Sequence, residues 1–220
     1  MCVFPDYFLM SDNEINKAKD FLRRRIAAET SATNNLSHIL DIYAAKVVSL
    51  CKKHNVKVEN IGTTRNLVFQ RALNVLLGHL MDDITDMTVI LSSDDAEAHR
   101  EQILAWIGTS IYGMTFASRL RKHILAWLTQ IKDGGNYLKS GGGHSADVLV
   151  RNTITANRME EYKEENKNAI GFYSMRGSTY PCSICDDEIG FHTMDEYPVY
   201  GTWHPNCKCI IIFEHIEKDE

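Results

Sequence analysis

Apolar residues recur at every third or fourth position through most of the first 170 residues, the spacing that lines one face of an α-helix. The first stripe, Ile15, Phe21, Leu22 and Ile26, follows Ser11-Asp12-Asn13-Glu14, which has the form of a capping box. A second, Leu36, Leu40, Tyr43, Val47 and Leu50, predicts a helix ending near Lys53-His54-Asn55. From about Thr64 to Leu91 a long helix is expected, with Phe69, Leu73, Leu76, Leu80, Ile84, Met87 and Leu91 on one side. Such a face suits an internal core or a contact for self-assembly. Asp94-Asp95-Ala96-Glu97 is read as opening a helix that carries Ile103, Trp106 and Ile107. After Gly108 and Gly113, a further stripe holds Phe116, Leu120, Ile124, Trp127, Leu128 and Ile131, and Arg119, Arg121, Lys122 and His123 decorate its solvated side.

Two glycine-dense stretches, Lys132 to Gly135 and Ser140 to His144, interrupt this regularity. Their backbone entropy cost places them in loops, and neither has the spacing of a phosphate-cradling nucleotide motif. A last helix is expected over about Ser145 to Asn168, increasingly polar toward the charged run from Glu160 to Lys167.

Beyond Gly171 the period shortens. Phe172 to Met175 and Ile210 to Phe213 are short, aromatic and β-prone, the composition of two strands that pair around the segment between them. The fold class expected is therefore mainly α: a multi-helix body with a small β-containing C-terminal module, spanning 171–213, that zinc stabilises. A segment of this size should need an ion to close it, because apolar burial alone is insufficient.

Between those strands lies the chain's most concentrated chemistry. Cys182 and Cys185 stand at C-x2-C spacing, and His204, Cys207 and Cys209 follow about twenty residues later. Thiolates so spaced can approach one metal ion from a single turn, and Zn2+ accepts tetrahedral sulfur and imidazole ligands. The second half of the site can be His204 with Cys207 or Cys207 with Cys209, so five donors compete for four places. A disulfide framework is the first rival reading, and a redox or nucleophilic cysteine pair is the second. The disulfide framework is disfavoured because no apolar signal segment is seen, 220 residues can bury a core without staples, and Cys2 and Cys51 lie far from the cluster. His192 and His215 are read as packing or surface histidines.

Charge sharpens this picture. The chain carries a formal charge of -5, but residues 177–220 hold nine carboxylates against Lys208 and Lys218, leaving the first 176 residues near +2. An acidic metal module is poorly suited to gripping a phosphate backbone, so DNA contact is not indicated. No apolar run approaches the roughly 18 residues that a membrane span requires, and cysteines left unpaired point to a reducing compartment.

The helix carrying Arg151-Asn152-Thr153-Ile154-Thr155-Ala156-Asn157-Arg158, followed by Cys182-Ser-Ile-Cys185 with Ile189-Gly190, and the ending His204-Pro-Asn-Cys207-Lys-Cys209, together resemble the C-terminal half of phage Mu F-like minor head proteins. These belong to the wider group of phage head morphogenesis proteins. Lys208 stands where arginine is usual, and the proline-rich approach to the last motif is reduced to Tyr197-Pro198 and Gly201-Thr202-Trp203. The resemblance covers about 105–212. It implies two regions, 1–104 as a helical N-terminal part and 105–220 as the head-morphogenesis-like part. It also implies a non-enzymatic minor head protein associated with portal and capsid proteins, acting in assembly and in genome packaging or ejection, in the bacterial host cytoplasm and then the virion.

Two other function classes stay open on the residues alone. A metal-dependent hydrolase or toxin-type effector would use the Cys/His cluster with Glu188 or His192 as proton carrier, which requires an open coordination position. A nucleic-acid-binding adaptor would use the basic helix face. The deaminase pattern is met only in Pro181-Cys-Ser-Ile-Cys185, and no H-E-x-x-H or G-x-S-x-G occurs.

Overall fold

A computed structural model describes residues 12–109, 113–131, 141–198, 201–204 and 206–215. The described chain is mainly helical with a small C-terminal three-stranded sheet. By its internal contacts it forms two compact units. One is Ala28–Ile154; the other joins the chain up to Ala27 with the chain from Thr155 onward. This division follows packing, whereas the boundary between 104 and 105 followed the reach of a motif.

Helix α1 runs without a break over Asp12–Lys53, where the apolar stripes predicted two helices. The join is made by Ala28 and Ala32, which are buried and carry the stripe across a stretch with no large apolar residue. Neither proline nor glycine falls between the two stripes, so nothing there favours a stop. The capping pattern at Ser11 falls outside the described residues.

In the Ala28–Ile154 unit, α2 spans Leu67–Leu91 and is capped by the Asn66 side chain, which accepts from the Phe69 N–H at 3.1 Å. Residues 94–99 form turns, and the helix expected there starts later, as α3 over Arg100–Gly108. The reason is local. Ser93 Oγ accepts from the Asp95 N–H and Asp95 Oδ1 from the Ala98 N–H, an alternative to helical pairing. Helix α4, Phe116–Leu128, is capped by Thr115. Leu36, Leu40, Phe69, Leu80, Ile84, Leu120, Ile124, Trp127 and Ile154 form the sealed centre of this unit's core. Tyr43 lies at its edge, where its hydroxyl donates to Asp83 Oδ2 at 2.7 Å.

Helix α5 covers Gly141–Glu165, so Gly141, Gly142 and Gly143 sit in its first turn and not in a loop. The cause is close packing. A Cβ on Gly142 would lie 2.7 Å from Trp127 Cα, so the start of α5 rests directly on the α4 backbone. The remainder of the glycine-dense segment, 132–140, is outside the described residues. The most buried part of α5 is its middle, 153–159, and Tyr162 is buried one turn further on.

In the second unit, strands β1 (Gly171–Met175), β2 (Gly190–Thr193) and β3 (Ile210–Glu214) form an antiparallel sheet in the order β2-β1-β3. The expected pairing of the first and last strands is present, with Phe172 opposite Phe213 and Met175 opposite Ile210. Strand β2, opposite β1 with His192 facing Phe172, was missed because four residues with one glycine give little period to read. Between β1 and β2 lies the short helix α6, Ser183–Asp187. The expectation that this module lacks an apolar core is corrected. Phe172 is fully buried among Tyr197, Phe213 and Trp203, and Phe21 from α1 and Met159 and Tyr162 from α5 complete the cluster. Residues far apart in sequence supply what the segment itself lacks.

Gly142→Ala should destabilise the protein by about 1–3 kcal/mol, because the added methyl overpacks a backbone contact. Gly141→Ala should be neutral or stabilising by up to about 1 kcal/mol, since its Cβ would meet only the end of the Gln130 side chain at 3.6 Å. Denaturant titration of both variants checks this, and equal effects would refute the close approach.

Candidate metal centre

Five soft donors from two chain segments meet beside the sheet. Cys182 precedes α6 in extended conformation, and Cys185 lies one turn inside that helix, where Asp186 N–H donates to Cys182 O at 2.9 Å. That turn aims both sulfurs the same way. On the other segment, Cys207 N–H donates to His204 O at 3.1 Å, and Asn206 takes the left-handed conformation with φ 62°. Asparagine tolerates that region better than most residues, which allows so tight a reversal.

His204 Nε2 stands 2.9 Å from Cys185 Sγ and 3.2 Å from Cys182 Sγ. Cys185 Sγ and Cys207 Sγ are 3.8 Å apart. A tetrahedral ion with Zn–S bonds of about 2.3 Å has an S···S edge of about 3.8 Å, so this edge fits. The donors fall into two triads whose ligand atoms lie within 4.8 Å of one another: Cys182, Cys185 and His204, and Cys185, Cys207 and Cys209. Cys185 is common to both. The cluster can therefore hold a metal ion, and all five residues singled out from sequence are brought together. The four cysteines here, like Cys51, are free thiols, and Cys2 is outside the described residues.

His192 and His215 point elsewhere. His192 stacks on Phe172 and its Nε2 lies 3.1 Å from Glu188 O, while His215 lies 3.2 Å from Asn166 Oδ1.

Electrostatics separate the thiols. A hydrogen bond from the Cys209 thiol lowers Cys207 to about 5 against the opposing effect of burial, and the Cys209 backbone N–H, 3.4 Å from Cys207 Sγ, adds to the lowering. Burial is the main cause that raises Cys185 to about 12. Cys209 is also raised, first through its hydrogen bond to Cys207 and then through burial. Without metal, Cys207 thus carries a thiolate while Cys185 and Cys209 keep their protons at neutral pH. A bound cation would displace those protons.

Two arginines that sequence reasoning passed over hold the two segments. Arg25, 1% exposed, donates to Cys207 O at 3.3 Å and to Met159 Sδ at 3.3 Å. Its signal was a charged residue within the otherwise apolar run Ala18, Phe21, Arg25, Ala28. Arg176 donates to Asp186 Oδ1 and to the carbonyls of Cys182, Ser178 and Tyr180, gathering the loop that leads into α6. No sequence pattern marked it. Gly177 lets this loop reach the other segment, for a Cβ there would clash with the Lys208 carbonyl oxygen.

Beside the cluster is a half-open cavity of about 170 Å³ lined by Arg176, Tyr180, Cys182, Cys185, His204 and Cys209 among others. It is smaller than the roughly 300–1,000 Å³ typical of small-molecule sites. Among the described residues, no helix is long and apolar enough to cross a membrane.

Arg25→Met and Arg176→Met should each weaken metal affinity about 10–100-fold, the usual cost of losing a partner that orients a ligand, read by competition with a chelator of known affinity. Unchanged affinity in both would show that the arginines merely pack. In the metal-free chain, ultraviolet thiolate absorbance should fall as pH drops through about 5, and Cys207→Ser should remove that step. The sign follows from a depressed thiol: the charged form is present above its folded pKa and is lost below it.

No protein-family model, curated protein or solved structure matches the chain.

Proposed function

We propose that this protein is a phage or prophage minor head protein whose C-terminal module is pinned by a structural Zn2+, and that it acts next to portal and capsid proteins in head assembly and genome packaging or ejection. The observation that carries the metal half of this reading is the convergence of five Cys and His donors in two triads that share the buried Cys185. Thiolate and imidazole donors with a 3.8 Å sulfur edge suit Zn2+, and a surplus of protein ligands leaves no coordination position for water. That argues for a closed, structural ion over a hydrolytic one.

The assembly half is supported by the order of motifs. A long helix bearing Arg151 and Arg158 precedes the C-x2-C turn, and the chain then returns through His204-Pro-Asn-Cys207-Lys-Cys209 into a final strand. The net negative charge of residues 177–220, with Asp187, Glu188, Asp195 and Glu196 among its carboxylates, suits protein partners better than phosphate.

In the zinc reading, Cys185 is the donor shared by both triads, with Cys182 and His204 on one side of it and Cys207 and Cys209 on the other, and any one outer thiol is dispensable because four donors remain. Cys185→Ser should therefore abolish metal binding, whereas Cys182→Ser and Cys209→Ser should each weaken it by less, since the other thiol can complete the shell. Native mass spectrometry of the three variants reads this directly, and a Cys182 or Cys209 variant as damaged as the Cys185 one would contradict it. The assembly reading is tested by the gene's surroundings. A position within a block of head genes beside the portal gene is expected; a position among unrelated genes, with no binding of purified protein to the portal, would overturn it.

A further inference from the structure

The outward face of α2 is unusually apolar for a helix whose other side already fills a core. Phe69, Leu73, Leu77, Leu80, Ile84 and Met87 face inward, yet Leu67, Val68, Val75 and Ile90 are 60% or more exposed. Midway along this face is Gly78, where an added Cβ would meet nothing within 4 Å. Another helix backbone can come close at such a point, because interaxial distance is set by the side chains at the crossing.

The charges on the same face are sorted by position. Arg71 lies in the N-terminal half, with Lys46 and Lys53 of α1 along an adjoining groove of about 360 Å³ that Val75, Leu76 and His79 also line. Asp82, Asp83 and Asp86 occupy the C-terminal half. A second α2 laid parallel would put like charges together. Laid antiparallel, about a two-fold axis between Gly78 and His79, it sets Leu67 opposite Ile90 and Arg71 opposite Asp86, with Asp82 one turn away. The face is therefore complementary to itself, which is the requirement of an isologous interface. An acidic helix from another protein would match the cationic half only and leave Ile90 uncovered.

We propose that α2 pairs antiparallel with α2 of a second copy of this chain, making the protein a two-fold dimer through the Ala28–Ile154 unit. This surface is independent of the metal centre and of the head-assembly reading, and its test does not involve either.

The test is sedimentation of the full metal-loaded chain over the micromolar range. The expected result is a species of twice the 25.0 kDa chain mass. Arg71→Asp places a carboxylate against Asp82 and Asp86 of the second copy, and Asp82→Arg places a cation against Arg71, so each should raise the dissociation constant about tenfold or more. Asp82 is chosen because Asp86 already meets Arg100 of its own chain at 2.9 Å. Mixing the two variants should recover association as a dimer containing one copy of each, since the carboxylate introduced at 71 then meets the cation introduced at 82, and the unchanged Arg71 of the other copy keeps both Asp82 and Asp86 within reach. Restoration also shows that both variants are folded. A wild-type chain that stays monomeric, single variants that associate as well as wild type, or a mixture that gains nothing would each overturn the proposal.

Discussion

Five soft ligand atoms gathered into two triads that share the buried Cys185, from segments about twenty residues apart, are the constraint on which the C-terminal module depends. Bringing Cys182 and Cys185 to His204, Cys207 and Cys209 requires a tight reversal at Asn206, a loop close enough to the second segment that only Gly177 fits, and a turn of helix that directs both sulfurs of the first pair. None of these features would be needed to close a three-stranded sheet. They are features of a site, and the sheet is the frame that holds its two ends, through the register of β1 with β3.

The frame would not stand on a bound ion alone. Phe172 sits at the middle of an aromatic cluster reaching from Phe21 to Phe213, and the guanidinium of Arg25 reaches the carbonyl of Cys207 from within that same unit. A buried guanidinium is costly unless its donors are met, so its aim at a residue of the cluster couples the position of α1 to that of the ligands. Metal binding at the cluster would thereby be linked to apolar packing. Loosening either should be felt by the other, in contrast to an autonomous zinc finger, which has no core without its metal.

Sequence periodicity made the helical body legible, because inward faces of α2 and α4 carry large apolar residues at regular spacing. It failed where small residues do the packing: Ala28 and Ala32 join two stripes into one helix, and Gly142 lies against the α4 backbone, where sequence suggested a loop. All five donors were legible because cysteine spacing is sparse and specific. Arg176 and Gly177 were not, since their contacts are largely with backbone carbonyls, which leave no trace in residue type, and Arg25 showed only as a charge within an apolar run, which does not say what it meets. The borrowed core was equally hidden, because Phe21 and Phe172 are brought together only by the fold.

The central claim is a closed ion held by protein donors alone. X-ray absorption at the zinc edge, on protein purified under reductant without added metal, tests it most directly. The account predicts one Zn2+ per chain in a four-coordinate shell of sulfur and imidazole nitrogen with no oxygen ligand. An oxygen at bonding distance would mean an open, reactive site, and a chain that is purified without metal and takes up no added Zn2+ would mean that the donor cluster is not a metal centre.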